Sequence, residues 1–142
     1  MKRLGAMVLA CALGAPVGAV LVRAAVVAQD AAAPGEPSAA EKPAIGYLRT
    51  VFNAQRQYRK KHNGYATSLA ALVGSGSFTR RMVKTDRGDY SVKFSGKTDG
   101  FTIALVPKTF DAEHRAFWIN ENGLIHYETD KPAGENSPVL RQ

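Results

Sequence analysis

The chain has 142 residues and a formal net charge of +7, which is enough length for one domain and too little for two. Of its 19 Lys and Arg residues, Lys2, Arg3 and Arg23 lie in the N-terminal segment, which leaves 16 basic residues against 12 acidic ones. A balance of about +4 outside that segment is too mild to indicate nucleic-acid binding by itself. The size argues against a catalytic cleft between domains, and the single cysteine, Cys11, excludes a disulfide framework within the chain.

Residues 1–28 have the pattern of a signal peptide or of an uncleaved membrane anchor. A short basic start precedes the apolar stretch Leu4–Val22, and the small residues of Val26-Val27-Ala28 precede Gln29 as at a signal-peptidase site. About 20 apolar residues also suffice to span a bilayer, and Arg23 interrupts the end of the stretch, so retention as an anchor stays open. We expect a periplasmic or secreted protein, with membrane contact only if this segment is retained.

Composition divides the rest of the chain into three parts. Residues 29–42 are rich in Ala, with Pro and acidic side chains, and show no apolar periodicity, which predicts a flexible linker. Residues 43–129 carry the periodic patterns and are predicted to form one α+β domain. Residues 130–142 are predicted to be a disordered C-terminal tail.

The predicted domain begins with an amphipathic helix. Pro43 suits the first turn, where its missing N–H costs nothing, and Asn63-Gly64 supplies a left-handed stop. Apolar residues recur between these points at steps of three and four, which predicts one buried stripe. The stripe contains Ile45, Leu48, Val51, Phe52, Gln55 and Tyr58. A short second helix is predicted at Leu69–Val73, whereas Ser75–Lys84 has no clear pattern.

The apolar period then changes to two, which predicts strands. Tyr90, Val92 and Phe94 alternate with polar residues, and three similar segments follow. The predicted strands are Tyr90–Ser95, Phe101–Leu105, Arg115–Asn120 and Leu124–Glu128. The expected fold class is therefore α+β, with an N-terminal amphipathic helix packed on a four-stranded antiparallel sheet. The predicted core consists of Leu48, Phe52, Tyr58, Leu69, Leu72, Tyr90, Val92, Phe94, Phe101, Ile103, Leu105, Phe117, Ile119 and Ile125.

The last hairpin allows two registers. A two-residue loop, Asn122-Gly123, would pair Ile119 with His126, whereas a three-residue loop that includes Glu121 pairs Ile119 with Ile125. The second register keeps the apolar residues on one face, and a slip of one residue would turn them to the other. We therefore predict the three-residue loop, with a left-handed glycine.

The favoured register also determines which residues of the two strands lie opposite each other. It places Phe117 opposite Tyr127 on the apolar face and Trp118 opposite His126 on the other face. A tryptophan on that face is a candidate for partner contact, because aromatic residues frequently anchor protein interfaces.

Four sequence segments together resemble the globular domain of type IV pilin-like proteins and type II secretion pseudopilins. The segments are Ala54-Gln55-Arg56-Gln57-Tyr58, Asn63-Gly64-Tyr65, Leu69-Ala70-Ala71-Leu72 and Gly123-Leu124-Ile125. The chain lacks the prepilin N-terminal motif, because Ala6 and Ala10 stand where the family has an aromatic residue and a glutamate. The resemblance implies an exported, non-catalytic interaction module with a protein partner. Such a module would be an accessory of a type II secretion or type IV pilus system, or a domain detached from one.

A second candidate surface is the basic end of the first helix. It contains Arg56, Arg59, Lys60 and Lys61. The alternative function is therefore a small periplasmic binding protein for an anionic ligand or nucleic acid.

An enzyme is the third hypothesis, and it has little support in the sequence. The three histidines, His62, His114 and His126, are far apart and share no metal-ligand spacing. No catalytic residue, metal ligand or cofactor is assigned. The hypothesis would gain if two of His114, His126, Asp111 and Glu113 were buried in one pocket.

Overall fold

The helix predicted at the start of the domain is present in the computed structural model, which describes residues 36–141. α1 spans Lys42–His62 with a proline in its first turn. It ends at Asn63, whose φ of 54° is left-handed and whose backbone N–H donates to the Arg59 carbonyl. Both predicted helix signals are therefore confirmed. The predicted signal peptide or anchor, most of the linker and Gln142 lie outside the described residues.

Five strands follow α1 and pair in chain order into one antiparallel sheet, β1-β2-β3-β4-β5. They are β1 Asp86–Arg87, β2 Tyr90–Gly96, β3 Phe101–Pro107, β4 Ala116–Asn120 and β5 His126–Glu128. The α+β class is confirmed, and α1 contacts the sheet. The predicted number of four strands is wrong, because β1 pairs with β2 at the sheet edge. A two-residue strand is too short to show an alternating pattern in the sequence.

The register of the last hairpin agrees with the prediction. Phe117 pairs with Tyr127, and Trp118 pairs with His126. β5 begins two residues later than expected, so the predicted pair of Ile119 and Ile125 lies beyond the hydrogen-bonded ladder.

Gly123 makes this turn possible in two ways. Its φ of 80° is left-handed, and its N–H donates to the Asn120 carbonyl at 3.1 Å. A Cβ at this position would also lie 2.6 Å from the ring of Phe52, so a larger residue would have to displace that ring.

The core lies between α1 and the inner face of the sheet. Leu48 and Val51 from the helix and Phe117 from the sheet are fully buried. Among the predicted core residues, Phe52, Tyr58 and Phe94 are only partly buried, and the others are buried. Phe78, in the segment that carried no clear pattern, is also fully buried and lies beside Tyr47. A lone aromatic residue in a polar segment gives no periodicity, so the sequence did not reveal it.

The described part of the predicted linker is packed. Glu41 is fully buried, and its carboxylate accepts hydrogen bonds from three N–H groups of Arg115, at 2.8–2.9 Å. Ser38 donates its backbone N–H to the same carboxylate and its hydroxyl to the Glu113 carbonyl. Residues 36–41 are therefore attached to the connection between β3 and β4, which the linker prediction did not anticipate.

The C-terminal segment also differs from the predicted disordered tail over residues 130–141. Leu140 is 3% exposed and donates its N–H to the Ile125 carbonyl at 2.7 Å, while the Pro138 carbonyl accepts from Tyr127 N–H. The segment thus covers the outer edge of β5. Its apolar residues, Val139 and Leu140, follow a polar stretch and give no period from which packing could be predicted.

Within residues 36–141, no helix combines the length and the apolar character needed to cross a bilayer.

Candidate functional site

The two candidate surfaces lie on different sides of the described domain. Trp118 alternates with the buried Phe117 and Ile119 along β4, so its side chain projects from the face of the sheet that α1 does not cover. The basic residues lie near the C-terminal end of α1. The structure therefore does not bring Trp118 together with the helix cations.

Three of the four predicted basic residues share a concavity. Arg56, Arg59 and Lys60 line an open cavity of about 470 Å³, whereas Lys61 is exposed at the same helix end without lining it. Glu121 also lines this cavity. The local balance is three cations to one carboxylate, so the cavity has positive character.

Two of these cations are mounted on aromatic rings. The guanidinium carbon of Arg56 lies 5.8 Å from the centre of the Phe52 ring, and that of Arg59 lies 4.9 Å from the Tyr65 ring. Arg59 also donates an N–H to the Tyr65 hydroxyl at 2.9 Å. Both rings pack on Phe101, with centroid distances of 6.4 and 5.3 Å. Ring contacts of this kind hold a guanidinium in place while its N–H edge stays available.

The cations of this group form no ion pair in the part of the chain that the structure describes, although Glu121 lines the same cavity. Across residues 36–141, no salt bridge joins Arg56, Arg59, Lys60 or Lys61 to a carboxylate. An exposed cation group of this kind can attract an anionic ligand or a negatively charged surface.

A second cavity, of about 320 Å³, adjoins the first along α1. Arg56 and Lys60 line both cavities. The remaining lining of the second consists of uncharged polar residues, namely Thr50, Asn53, Gln57 and Ser77. The two cavities therefore share one ridge of positive charge.

Trp118 is half-buried and held from one side. Its ring meets His126 edge-on with centroids 5.3 Å apart, and the strand partner on its other side is Ala104. His126 is itself positioned, because its Nδ1 lies 2.6 Å from the Ser137 carbonyl of the C-terminal segment. Ala104 has a small side chain, and Trp118 remains partly exposed beside it.

The histidine and acidic residues of the enzyme hypothesis are only partly brought together. His114 Nδ1 lies 2.7 Å from Asp111 Oδ1, and the hydrogen bond with that carboxylate raises the pKa of His114. Asp111 also accepts the Glu113 backbone N–H, as in a local turn, and both acidic side chains are exposed. His126 lies on the sheet face beside Trp118. Of the four side chains, only those of His114 and Asp111 form a hydrogen bond with each other, and they lie on an exposed connection and not in a buried pocket.

The sequence predicted Tyr90 as a core residue but indicated nothing about the surroundings of its hydroxyl. It is 3% exposed, and its hydroxyl is the one buried side-chain polar atom without a hydrogen-bond partner in residues 36–141. Burial, reinforced by the charge of Glu41, raises the pKa of Tyr90 far above its usual value. Its ring lies near the rings of His114 and Phe117, at centroid distances of 6.1 and 6.3 Å. The phenol therefore stays protonated in the core.

No family model matches the chain, and no curated protein and no solved structure matches it. The α+β architecture described above therefore rests on the structure itself. The pilin-like resemblance stays a prediction that depends on the sequence segments quoted for it.

Proposed function

We propose that this protein is an exported, non-catalytic interaction module with a pilin-like α+β domain. The observation that carries the proposal is Trp118, a half-exposed tryptophan on the sheet face that α1 leaves uncovered. Trp is enriched among the residues that dominate binding energy at protein interfaces. The partner would be another protein.

The surroundings of Trp118 suit a protein interface. Ala104 and Val106 of β3 are half-buried on the same face, beside the exposed Lys93 of β2 and the half-buried Glu128 of β5. An apolar centre with charged residues at its border is the usual arrangement of such interfaces. His126 restrains the indole before binding, which reduces the entropy lost on association.

The proposed setting is a type II secretion or type IV pilus system, in which the protein would act as an accessory. A helix that precedes an antiparallel sheet is the arrangement expected of a pilin-like domain. α1 begins at Lys42, and the Glu41–Arg115 contact holds the segment before it against the β3–β4 connection. If the N-terminal segment is retained as an anchor, this contact would give the domain a defined orientation on its tether.

We predict that the protein is exported and cleaved near Gln29. Intact-mass measurement of the protein expressed in a Gram-negative host, with cell fractionation, should find a soluble periplasmic or secreted species that begins close to this residue. A full-length species in the membrane fraction would show that the N-terminal segment is retained and that the domain is anchored. A full-length species in the cytoplasm would contradict export.

We also predict that Trp118 controls a specific protein contact. A photoreactive phenylalanine analogue placed at Val106, on the same face, should form a discrete cross-linked product in cells. Trp118→Ala should weaken that product about tenfold or more, because tryptophan anchors commonly contribute at least about 2 kcal/mol.

The matched control for this experiment carries the analogue at the exposed Ala71, outside the sheet. It should give no product that depends on Trp118. Thermal melting should show that Trp118→Ala remains folded. Equal products from the Val106 and Ala71 positions, or a product unaffected by Trp118→Ala, would rule out this surface as the interface.

A second candidate function is supported by the helix cations. Arg56, Arg59 and Lys60 line one cavity and form no ion pair in the described part of the chain. This arrangement supports the alternative function, a small periplasmic binding protein for an anionic ligand or nucleic acid, through its charge. The charge is local, so such binding does not depend on the mild net charge of the domain.

A further inference from the structure

Arg56 and Lys60 form a ridge of positive charge on α1. These residues are four apart on α1 and therefore lie on the same side of the helix. Each lines both cavities, one shared with Arg59 and Tyr65 and the other with uncharged polar side chains. Together the two cavities offer positive charge at the centre and hydrogen-bonding groups on both sides.

We propose that the two cavities form one site for a chain that bears successive phosphate groups. The inference rests on the anionic-ligand candidate and not on the protein-interaction module. It deepens that candidate by naming the chemistry of the ligand. A phosphodiester backbone of single-stranded nucleic acid and a linear polyphosphate share this chemistry.

The cations suit phosphate in their geometry. A guanidinium presents paired N–H groups that match two phosphate oxygens, and a lysine adds a mobile point charge. The rings of Phe52 and Tyr65 already hold the guanidiniums of Arg56 and Arg59. Binding therefore orders fewer side-chain torsions than it would for freely moving arginines.

The distribution of the groups favours a chain over a single anion. A lone phosphate in the Arg59 cavity would leave the polar groups of the second cavity unused. Asn53 and Gln57 supply amide donors there, and Ser77 supplies a hydroxyl. A ligand that crosses the Arg56–Lys60 ridge would place one phosphate on each side of it and engage both sets.

Two features at this end of α1 disfavour the binding of an anion, and the effect of each is small. The last carbonyls of a helix carry partial negative charge, but the carbonyl of Arg59 already accepts the Asn63 N–H. Glu121 places one carboxylate at the edge of the Arg59 cavity. Because Glu121 opposes the ligand, its removal should strengthen binding, which supplies a test that a general loss of folding cannot imitate.

The test titrates orthophosphate, tripolyphosphate and a short oligodeoxythymidine into the protein, purified as the expressing cell processes it. Calorimetry or ligand anisotropy at two salt concentrations gives the affinities. We expect tripolyphosphate or the oligonucleotide to bind at least about tenfold more tightly than orthophosphate. Arg56→Gln and Lys60→Gln should each weaken binding about tenfold, the value of one charge-assisted contact. Glu121→Gln should tighten it, and Lys93→Gln, on the opposite face of the sheet, should leave it unchanged.

Each outcome has a separate meaning. Binding of the oligonucleotide alone assigns the phosphate chain to nucleic acid, and binding of tripolyphosphate alone assigns it to a polyphosphate. Orthophosphate that binds as tightly as tripolyphosphate overturns the phosphate-chain inference and leaves the anionic-ligand function intact. The absence of any binding overturns both. An equal loss for Lys93→Gln would show non-specific attraction by charge and would also overturn the inference.

Discussion

Replacing Arg115 with methionine is expected to lower the free energy of unfolding by about 3–5 kcal/mol, because it leaves the buried carboxylate of Glu41 without its cation. For a domain of this size, such a loss corresponds to a fall in Tm of roughly 12–20 °C. Thermal and urea denaturation of the purified protein would measure it. The change should also release residues 36–41 from the β3–β4 connection, since Arg115 donates to the Glu36 carbonyl as well.

The matched control is Lys108→Ala. Lys108 pairs with Asp86 at 3.0 Å, but both side chains are largely exposed, so the expected change is below about 1 kcal/mol. The double variant Glu41→Leu with Arg115→Met should recover much of the stability lost in Arg115→Met, because the buried charge is then absent. If Arg115→Met behaved like the exposed control, the buried ion pair would not hold the entry segment.

The same pair makes stability depend on pH. Burial pushes the pKa of Glu41 upward, but hydrogen bonds from the Arg115 side chain and from the backbone of Ser38 and Arg115 outweigh it, so the pKa lies below its usual value. The carboxylate therefore contributes stability above the ordinary pKa of glutamate, and this contribution disappears as pH falls through the lowered value. Glu41→Gln should show a flatter acid limb in a plot of unfolding free energy against pH.

Replacing Gln55 with leucine should also lower the free energy of unfolding strongly. Gln55 is fully buried in the apolar stripe of α1, where it accepts the Ala66 N–H at 2.9 Å and donates to the Ala66 carbonyl at 3.1 Å. Leucine keeps much of the volume but leaves two buried backbone groups without partners. Each such group costs about 1–3 kcal/mol, so we expect a loss of about 2–6 kcal/mol in urea denaturation.

The backbone around Ala66 has little room to find other partners. Gly96 of β2 lies so close that a Cβ there would clash with the Ala66 carbonyl oxygen and would lie 2.8 Å from Thr67 Cα. Hydrogen exchange should therefore show the Ala66 amide losing protection in Gln55→Leu. The control is Gln57→Leu, an exposed change that should stay within about 0.5 kcal/mol. Equal effects of the two variants would mean that the Gln55–Ala66 contact contributes nothing.

Local signals explain why parts of the fold could be predicted. Asn63 stops the helix and Gly123 permits the last turn because each adopts a backbone conformation that few other residues tolerate. The alternation around Phe117 and Trp118 placed these side chains on opposite faces for a similarly local reason. The apolar stripe of α1 also correctly indicated its buried side, although the sequence did not suggest that Gln55 serves as a hydrogen-bonding group within it.

Other parts depend on contacts between distant residues. β1 consists of Asp86 and Arg87 paired with β2, and the C-terminal segment is held by contacts such as the hydrogen bond from Leu140 to Ile125. Neither segment has a pattern of its own. Local sequence therefore predicted a four-stranded sheet and a disordered tail in their place.

For the candidate sites too, some features follow from the sequence and others from the tertiary structure. The sequence by itself determined which side chains carry positive charge at the end of α1, because helical spacing puts Arg56 and Lys60 on one side. Only the tertiary structure decided that they share cavities and that Tyr65 meets the ring of Phe101, 36 positions later in the chain. The tertiary structure also buries Glu41 against Arg115, although Glu41 lies in a segment whose composition predicted a linker. The physical reason is that periodicity and turn chemistry act over a few residues, whereas cavities and buried ion pairs exist only after distant segments have packed together.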